Sequence, residues 1–138
     1  MRIMLVDDEI NNLQALRRIL IREKLCQIEA FTSPLQALNR VHQAVFDLII
    51  SDYRMPEMDG VSFLGKSKDV QPAAQRIMVT AYCDKESLFG AINKAQVQRY
   101  IEKPFCPDDV LRVIKEVMAD RIEQLRMAHL VFPPSPRH

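Results

Sequence analysis

The stretch FDLIISDYRMPEMDG, at residues 46–60, decides how the rest of this sequence is interpreted. It opens with an almost wholly apolar run from Phe46 to Ser51, which is typical of a strand covered on both faces of a parallel sheet. A single carboxylate, Asp52, follows the run directly, and residues 55–60 have the composition of a loop and turn. The stretch therefore predicts a buried strand that carries an acidic side chain at its carboxyl end.

Strand-like and helix-like segments alternate on both sides of this stretch. The other short apolar runs are Ile3 to Val6, Ile28 to Phe31, Ile77 to Thr80 and Arg99 to Glu102. Helix-like spacing and composition predict helices near residues 11–22, 34–45, 61–70, 84–94 and from about 108 onward. Five strands that alternate with five helices indicate an α/β fold with a doubly wound parallel sheet and right-handed crossovers.

Polar residues mark the beginning of several predicted helices. Ser33 stands immediately before Pro34, which favours Ser33 as the N-cap and Pro34 as the first helical residue. Asp84 has the position of a cap for the fourth helix, and Asp108 or Asp109 has that position for the last one. These residues set the expected helix starts.

Chemically active side chains stand where the predicted strands end. They are Asp7, Asp8, Asp52, Thr80, Tyr100 and Lys103. Because the carboxyl ends of parallel strands share one edge of the sheet, ligands bind in the crevice there, and these residues should converge. Three carboxylates, a hydroxyl and an ammonium group are what is needed to hold a divalent cation and a transferable phosphoryl group.

Asp52 is the candidate nucleophile, because a carboxylate can form an acyl phosphate and this one ends the most apolar strand. Its charge repels an incoming phosphoryl group, so a cation is required, and Mg²⁺ takes the oxygen ligands that Asp7 and Asp8 offer. Asp52 and the backbone carbonyl of Arg54 are further candidate ligands. Lys103 adds a positive charge for another phosphoryl oxygen.

Each of these residues also fits an ordinary structural role. Asp8 suits a helix cap, Tyr100 suits packing, and Lys103-Pro104 suits a turn with a cis bond. Thr80 alone carries little information. The combination at successive strand ends, rather than any single residue, favours a functional site.

The combination resembles the receiver domain of bacterial two-component response regulators, the CheY-like family. The resemblance rests on Asp7-Asp8, the DYRMPEMDG run at residues 52–60, Thr80-Ala81, Tyr100 and Lys103-Pro104-Phe105, and it extends over about residues 1–120. It implies a flavodoxin-like (βα)5 fold with strand order 2-1-3-4-5. Ile10 stands where many family members carry proline, and no chemistry depends on that position.

The resemblance implies a role for each acidic and basic residue of the site. Asp52 is the phosphoacceptor. Asp7 and Asp8 are the acids that hold Mg²⁺, for which Mn²⁺ is a substitute. Lys103 binds the phosphoryl group.

Two further pairs of residues have implied roles. Thr80 and Tyr100 form the switch pair, in which Thr80 moves towards the phosphoryl group and Tyr100 fills the space it leaves. Arg54 and Tyr82 lie two residues after Asp52 and Thr80, at positions that vary in the family and modulate hydrolysis. A long arginine and a tyrosine ring there would obstruct attacking water and lengthen the lifetime of the phosphorylated state.

The implied function is a phosphorylation-dependent signalling switch of a two-component phosphorelay, not an enzyme. A sensor histidine kinase or a histidine phosphotransfer protein is the expected donor, and residues 11–22 are its expected docking face. Phosphorylation is expected to change the surface of the fourth helix, fifth strand and fifth helix. No segment resembles a DNA-reading module, so the chain is either a single-domain regulator or the receiver of a longer protein with enzymatic or DNA-binding output.

Two other classes of protein use similar parts and stay as alternatives. A phosphohydrolase of the haloacid dehalogenase type also uses an aspartyl nucleophile, Mg²⁺ and a lysine. Its D-x-D pattern follows the first strand, whereas here the candidate nucleophile follows the third and position 54 is arginine. A flavin-binding module needs a hydroxyl- and glycine-rich phosphate loop after the first strand, where residues 7–9 are all acidic and would repel the flavin phosphate.

The composition fits one ordinary globular domain. The chain has 138 residues and a net charge of +1, which gives no reason to expect a nucleic-acid partner. No apolar run approaches the ~20 residues of a membrane span. The three cysteines, at positions 26, 83 and 106, are widely spaced, and we expect buried thiols in a reducing, cytoplasmic compartment.

Residues 121–138 extend beyond the expected receiver boundary as a helical extension and a proline-rich tail. The apolar residues of the last helix fall near coiled-coil spacing, interrupted by Arg121, and Pro133 to Pro136 forbid further helix. Ile122 and Leu125 would be exposed without a partner. The extension is therefore expected to support a phosphorylation-dependent homodimer or to serve as a linker to an effector.

Overall fold

The computed structural model describes residues 1–22, 26–81, 84 and 95–131 of the chain. Five strands form one parallel sheet: β1 (Arg2–Val6), β2 (Gln27–Phe31), β3 (Leu48–Asp52), β4 (Gln75–Ala81) and β5 (Arg99–Lys103). Their order across the sheet is β2-β1-β3-β4-β5. The fold class and the strand order predicted from the sequence are therefore confirmed.

The described helices are α1 (Ile10–Leu20), α2 (Pro34–Val41), α3 (Gly60–Val70) and a C-terminal helix (Pro107–Val131). The predicted fourth helix lies outside the described residues, apart from Asp84 at its expected start and Ala95 just beyond its expected end. Within the part of the chain that the structure describes, no helix is long and apolar enough to cross a membrane.

Alternating residues of the strands contribute to two separate hydrophobic cores, one on each face of the sheet. Ile3 and Leu5 of β1 pack with apolar residues of α1 and the C-terminal helix on one face of the sheet. Met4 and Val6 pack with α2 and α3 on the other face. All five residues of β3 are buried, as predicted for a strand covered on both sides. This central strand ends at Asp52, so the carboxylate is held by a well-packed segment.

Side-chain caps begin two of the helices. Ser33 Oγ accepts a hydrogen bond from the Gln36 backbone N–H at 3.3 Å, with Pro34 as the first residue of α2, as predicted. Asp59 Oδ1 accepts from the Ser62 backbone N–H at 2.8 Å and caps α3. Such caps satisfy backbone donors that have no partner within the helix.

Several of the predicted boundaries differ from those of the structure. The last helix begins at Pro107 rather than at Asp108 or Asp109, because proline is well suited to the first helical position. α2 ends at Val41 rather than near residue 45, and Val45 is 70% exposed. The third strand begins at Leu48 rather than Phe46.

The cysteine prediction also needs correction. Cys106 is exposed and Cys26 is half-buried, and neither forms a disulfide within the described part of the chain. Cys83 lies outside the described residues. The expectation of buried thiols is therefore wrong for the two cysteines that can be assessed, because each lies next to an element boundary rather than inside the core.

Arg121 anchors the C-terminal helix to the amino end of the sheet. Its side chain is 9% exposed, and its Nε donates to Asp47 Oδ1 at 3.1 Å while its Nη1 donates to the Ala73 carbonyl at 3.2 Å. The second carboxylate oxygen of Asp47 accepts from the Arg2 backbone N–H at 2.9 Å. Arg121, which interrupts the apolar spacing of the last helix, therefore makes a buried polar contact that holds this helix against the domain.

Candidate functional site

Three carboxylates meet at the carboxyl edge of the sheet. Asp7 and Asp8 follow β1, Asp52 ends β3, and these two strands are neighbours that pair Val6 with Ser51. One oxygen from each carboxylate lies within 4.8 Å of the others. Asp7 and Asp52 are buried, whereas Asp8 is exposed. The structure therefore brings together the three acids that were selected from the sequence.

Lys103 reaches these carboxylates from the end of β5. Its Nζ lies 2.9 Å from Asp52 Oδ1 and 3.6 Å from Asp7 Oδ2. Strand β4 lies between, with Val79 paired to Asp52 and Ala81 paired to Lys103, so the side chain crosses the edge of one whole strand. The ammonium group partly neutralises two buried acids that would otherwise repel each other.

The protonation of the site reflects burial and crowding of charge. Burial raises the pKa of Asp7 to about 6, and the charges of Asp52 and Asp8 add to this effect. The Glu9 backbone N–H, which donates to Asp7 Oδ1 at 2.9 Å, and the charge of Lys103 act in the opposite direction.

The pKa of Asp52 is also raised by burial, although the hydrogen bond and charge of Lys103 lower it. Burial alone would lower the pKa of Lys103, but its hydrogen bond to Asp52 and the charges of Asp52, Asp7 and Glu9 outweigh burial and raise it. The lysine therefore stays charged, while the buried acids hold protons more readily than usual. A divalent cation, which binds only ionised carboxylates, would reverse this tendency.

The shift at Asp7 predicts an unusual dependence of stability on pH. Its folded pKa of about 6 lies above the ordinary value of 3.8, so between these values the folded protein binds a proton that the unfolded chain does not. The free energy of unfolding without metal should therefore rise by about 1 kcal/mol from Asp7 alone as the pH falls from about 7 to about 5. Urea unfolding measures this.

Asp7→Asn is the control for this prediction, because it cannot titrate and should lose that part of the trend. Affinity for Mg²⁺ should fall over the same pH range in the wild type, because protonation of Asp7 removes a candidate ligand. A free energy of unfolding that drops on acidification equally in both proteins would contradict the prediction.

Thr80 and Tyr100 lie on adjacent strands and on the same face of the sheet. Thr80 is 2% exposed and its hydroxyl donates to the Ala81 carbonyl at 3.1 Å, whereas Tyr100 is 48% exposed. Tyr100 pairs with Met78 of β4, two residues before Thr80, and side chains two apart along a strand share a face. The tyrosine therefore presents about half of its surface to solvent on the same face of the sheet as the buried hydroxyl.

Arg54 has a partner that the sequence did not reveal. Its Nε donates to both carboxylate oxygens of Asp84, at 2.9 and 3.0 Å, and its Nη2 lies 2.5 Å from Asp84 Oδ1. Asp84 was interpreted only as a helix cap, and the helix in question lies outside the described residues. The missed signal was that Asp84 follows the end of β4, the same edge that collects the other active groups. Tyr82 also lies outside the described residues, so its role in lifetime stays a prediction.

The doubly wound sheet, with an acidic cluster and a lysine at its carboxyl edge, defines a phosphoryl-accepting type of α/β domain. The model of the response regulator receiver domain matches residues 3–115, and the chain belongs to this family.

Relatives and solved structures agree with this assignment. The chain is 32% identical over 116 residues to the hydrogenase transcriptional regulatory protein HoxA of Bradyrhizobium diazoefficiens, covering 84% of the chain and 24% of that protein. It is 32% identical over 117 residues to the transcriptional regulatory protein ZraR of Escherichia coli, covering 85% of the chain and 26% of that protein. A CheY-like receiver domain from Methanospirillum hungatei superposes with a TM-score of 0.81 at 29% identity, covering 89% of this chain and 97% of that one. The chain thus spans about a quarter of the length of these curated relatives.

Proposed function

We propose that this receiver domain accepts a phosphoryl group on Asp52 from a phosphohistidine of a sensor histidine kinase or a histidine phosphotransfer protein. The observation that carries the proposal is the contact of Lys103 Nζ with Asp52 Oδ1 at 2.9 Å, inside a cluster of three carboxylates. A structural ion pair would not require two further acids within 4.8 Å. A site for phosphoryl transfer does, because the transfer needs both a carboxylate nucleophile and cation ligands.

The transfer is a displacement at phosphorus. An ionised oxygen of Asp52 forms the new O–P bond while the N–P bond to the donor histidine breaks, and the imidazole leaves with the electron pair and takes up a proton. The ammonium group of Lys103 lies where it can move from Asp52 to a phosphoryl oxygen as negative charge accumulates. Asp52 is held rigidly by the fully buried β3, which reduces the cost of orienting the nucleophile.

The donor set fits Mg²⁺, which prefers carboxylate and carbonyl oxygens, and Mn²⁺ would take the same ligands. We assign Asp7, Asp8, Asp52 and the backbone carbonyl of Arg54 as the protein ligands. When bound, the ion offsets the repulsion between Asp52 and the incoming phosphoryl group. The close packing of the acids, two of them buried with a raised pKa, is the feature of this chain that favours a bound cation.

We propose that Thr80 and Tyr100 carry the change to the surface. A phosphoryl group on Asp52 adds a charge of about −1.5 to −2 near neutral pH and offers strong hydrogen-bond acceptors. The Thr80 hydroxyl, now bonded to the Ala81 carbonyl, would turn to the phosphoryl group, and the half-exposed ring of Tyr100 would move inward. The role of the domain is regulatory rather than catalytic, and turnover of phosphate esters is not expected.

The donor is proposed to dock on α1. Ile10 and Ile21, at the two ends of this helix, are 58% and 64% exposed, and Arg17 and Arg18 lie between them. The output is proposed to come from a domain attached to this one, since the curated relatives are about four times as long and include transcriptional regulators.

Phosphorylation of Asp52 is tested by mass. Incubation with acetyl phosphate and Mg²⁺ should add one phosphoryl group to the intact protein, and EDTA should prevent the addition. Asp52→Asn should lose the label completely because an amide is not a nucleophile of this kind. Asp69→Asn, which removes an exposed carboxylate of α3, is the matched control and should label like the wild type. Full labelling of Asp52→Asn would overturn the assignment.

Self-association is a second proposal, carried by the C-terminal helix. Ile122 is 58% exposed, Leu125 is 47% exposed and Leu130 is 69% exposed, although Arg121 beside them is held against the domain. Sedimentation of the protein with beryllofluoride, which mimics the phosphoryl group, should show a dimer. Replacing Ile122 and Leu125 by Glu should restore the monomer without disturbing the Arg121 anchor. A monomer under all conditions would identify the extension as a linker.

A further inference from the structure

An ion pair at the rim of the candidate site joins Arg54, two residues after the end of β3, to Asp84, three residues after the end of β4. The Arg54 guanidinium contacts Asp84 through Nε and Nη2, and the two side chains differ greatly in burial. The Asp84 side chain is 4% exposed, whereas the Arg54 side chain is 75% exposed. A buried carboxylate therefore holds a cation that projects from the surface.

The pair is connected to Asp52 through Lys103, whose ammonium group contacts Asp52 and whose charge also acts on Asp84. Arg54 is two residues after Asp52, and Asp84 is four residues after Thr80. Its hydrogen bond to Arg54 lowers the pKa of Asp84, against the effect of burial, and the charges of Arg54 and Lys103 lower it further. Asp84 thus feels the same lysine that pairs with Asp52. It is a further acid near this edge of the sheet, outside the cluster of candidate metal ligands.

We propose that Asp84 is a positioning residue for Arg54, which it holds in the unphosphorylated protein and releases to the phosphoryl group on Asp52. This inference rests on the proposed function. A guanidinium binds carboxylate and phosphoryl oxygens with the same bidentate geometry, so the two groups compete for it. The phosphoryl group carries about twice the charge of the carboxylate, and the large exposure of Arg54 means that little packing opposes the exchange.

Transfer of Arg54 from Asp84 to the phosphoryl group would connect phosphorylation of Asp52 to Asp84, which follows β4 in the chain. When Arg54 leaves, Asp84 is a buried carboxylate without its bidentate partner, which is costly. The Asp84 carboxylate would then lose this partner at the same time as Thr80 turns to the phosphoryl group. Asp84 also limits how strongly Arg54 binds the phosphoryl group, and so it shortens the lifetime of the phosphorylated state.

A double-mutant cycle tests the competition. Four proteins are labelled with acetyl phosphate and Mg²⁺: the wild type, Asp84→Asn, Arg54→Met and the double variant. Loss of the phosphoryl group is then followed by intact mass. Asp84→Asn should lengthen the half-life about three- to tenfold, because Arg54 is no longer retained. In the Arg54→Met background the same substitution should have little effect, since the guanidinium for which Asp84 and the phosphoryl group compete is absent. Asp84→Glu keeps the charge and should stay close to the wild type.

Equal effects of Asp84→Asn with and without Arg54 would overturn the inference, because they would show that Asp84 acts only through its own charge. Absence of the label on wild-type Asp52 would overturn the proposed function and this inference with it. Labelling with additive effects would overturn this inference alone.

A spectroscopic measurement on the wild type does not depend on whether Asp84→Asn folds. The Nε–H resonance of Arg54, assigned from its loss in Arg54→Met, reports on the partner of the guanidinium. It should shift when beryllofluoride and Mg²⁺ are added together and not with Mg²⁺ alone. A resonance that is the same in the untreated protein, with Mg²⁺ alone and with Mg²⁺ and beryllofluoride would show that Arg54 remains paired with Asp84, contrary to the proposal.

Discussion

Replacement of Gly60 by alanine should lower the free energy of unfolding by about 3 kcal/mol or more, because the space for a side chain is occupied by backbone. A Cβ at this position would lie 2.2 Å from the carbonyl oxygen of Asp52 and 2.8 Å from Met78 Sδ. The Gly60 backbone N–H also donates to the Tyr53 carbonyl at 2.7 Å, which fixes the first turn of α3 against the end of β3. The chain can relieve the clash only by moving β3 or α3.

Gly65 of the same helix is the matched control. Nothing lies within 4 Å of the position that its Cβ would take. Gly65→Ala should therefore stabilise the protein by about 0.5–1 kcal/mol, because alanine has the higher helix propensity. Urea unfolding compares the two variants, and intact mass after incubation with acetyl phosphate shows whether Gly60→Ala also loses acceptor activity. Similar stabilities for both variants would contradict the close contact between Gly60 and Asp52.

Replacement of Lys103 by methionine should slow phosphorylation of Asp52 by about 100-fold, the effect expected when one charged group that stabilises the transition state is removed. Methionine keeps most of the volume of the lysine side chain but removes the ammonium group that lies 2.9 Å from Asp52 and 3.6 Å from Asp7. The pKa of both acids should rise further, because an attractive charge has been lost. Protonation of the acids offsets part of the cost to stability, so the variant should fold at slightly acidic pH.

The rate is measured as the growth of the phosphorylated mass over time at fixed acetyl phosphate and Mg²⁺. Lys66→Met removes an exposed cation of α3 and should label at the wild-type rate. Lys103→Arg keeps the charge but has a different shape. Its rate of phosphorylation should fall between those of the wild type and Lys103→Met. A wild-type rate in Lys103→Met would mean that the contact with Asp52 is structural only.

The sheet order and the acidic cluster were both predictable from the sequence. Their signals are short and local: an apolar run of the right length, followed by a residue that can do chemistry. Asp7, Asp52 and Lys103 are far apart in the chain, yet parallel strands place their carboxyl ends on one edge whatever the details of packing. The CheY-like resemblance added the strand order, which the alternation of elements alone does not specify.

Contacts between side chains from distant elements were not predictable. The pairs Arg54–Asp84 and Arg121–Asp47 join residues 30 and 74 positions apart, and no local pattern distinguishes them from exposed charges. Asp84 was interpreted as a cap, and Arg121 as an interruption of an apolar seam. Both interpretations use neighbours along the chain, whereas the partners come from other loops.

The sequence by itself determined the class of fold, the edge of the sheet that carries the site and the identity of the three acids and the lysine. Apolar periodicity and strand direction follow from local chemistry, so they can be inferred from the sequence without knowledge of the packing. Only the tertiary structure decided which cations hold which acids and why position 60 must be glycine. Those features depend on distances of a few ångströms between segments, which are set by how the two cores pack on the sheet.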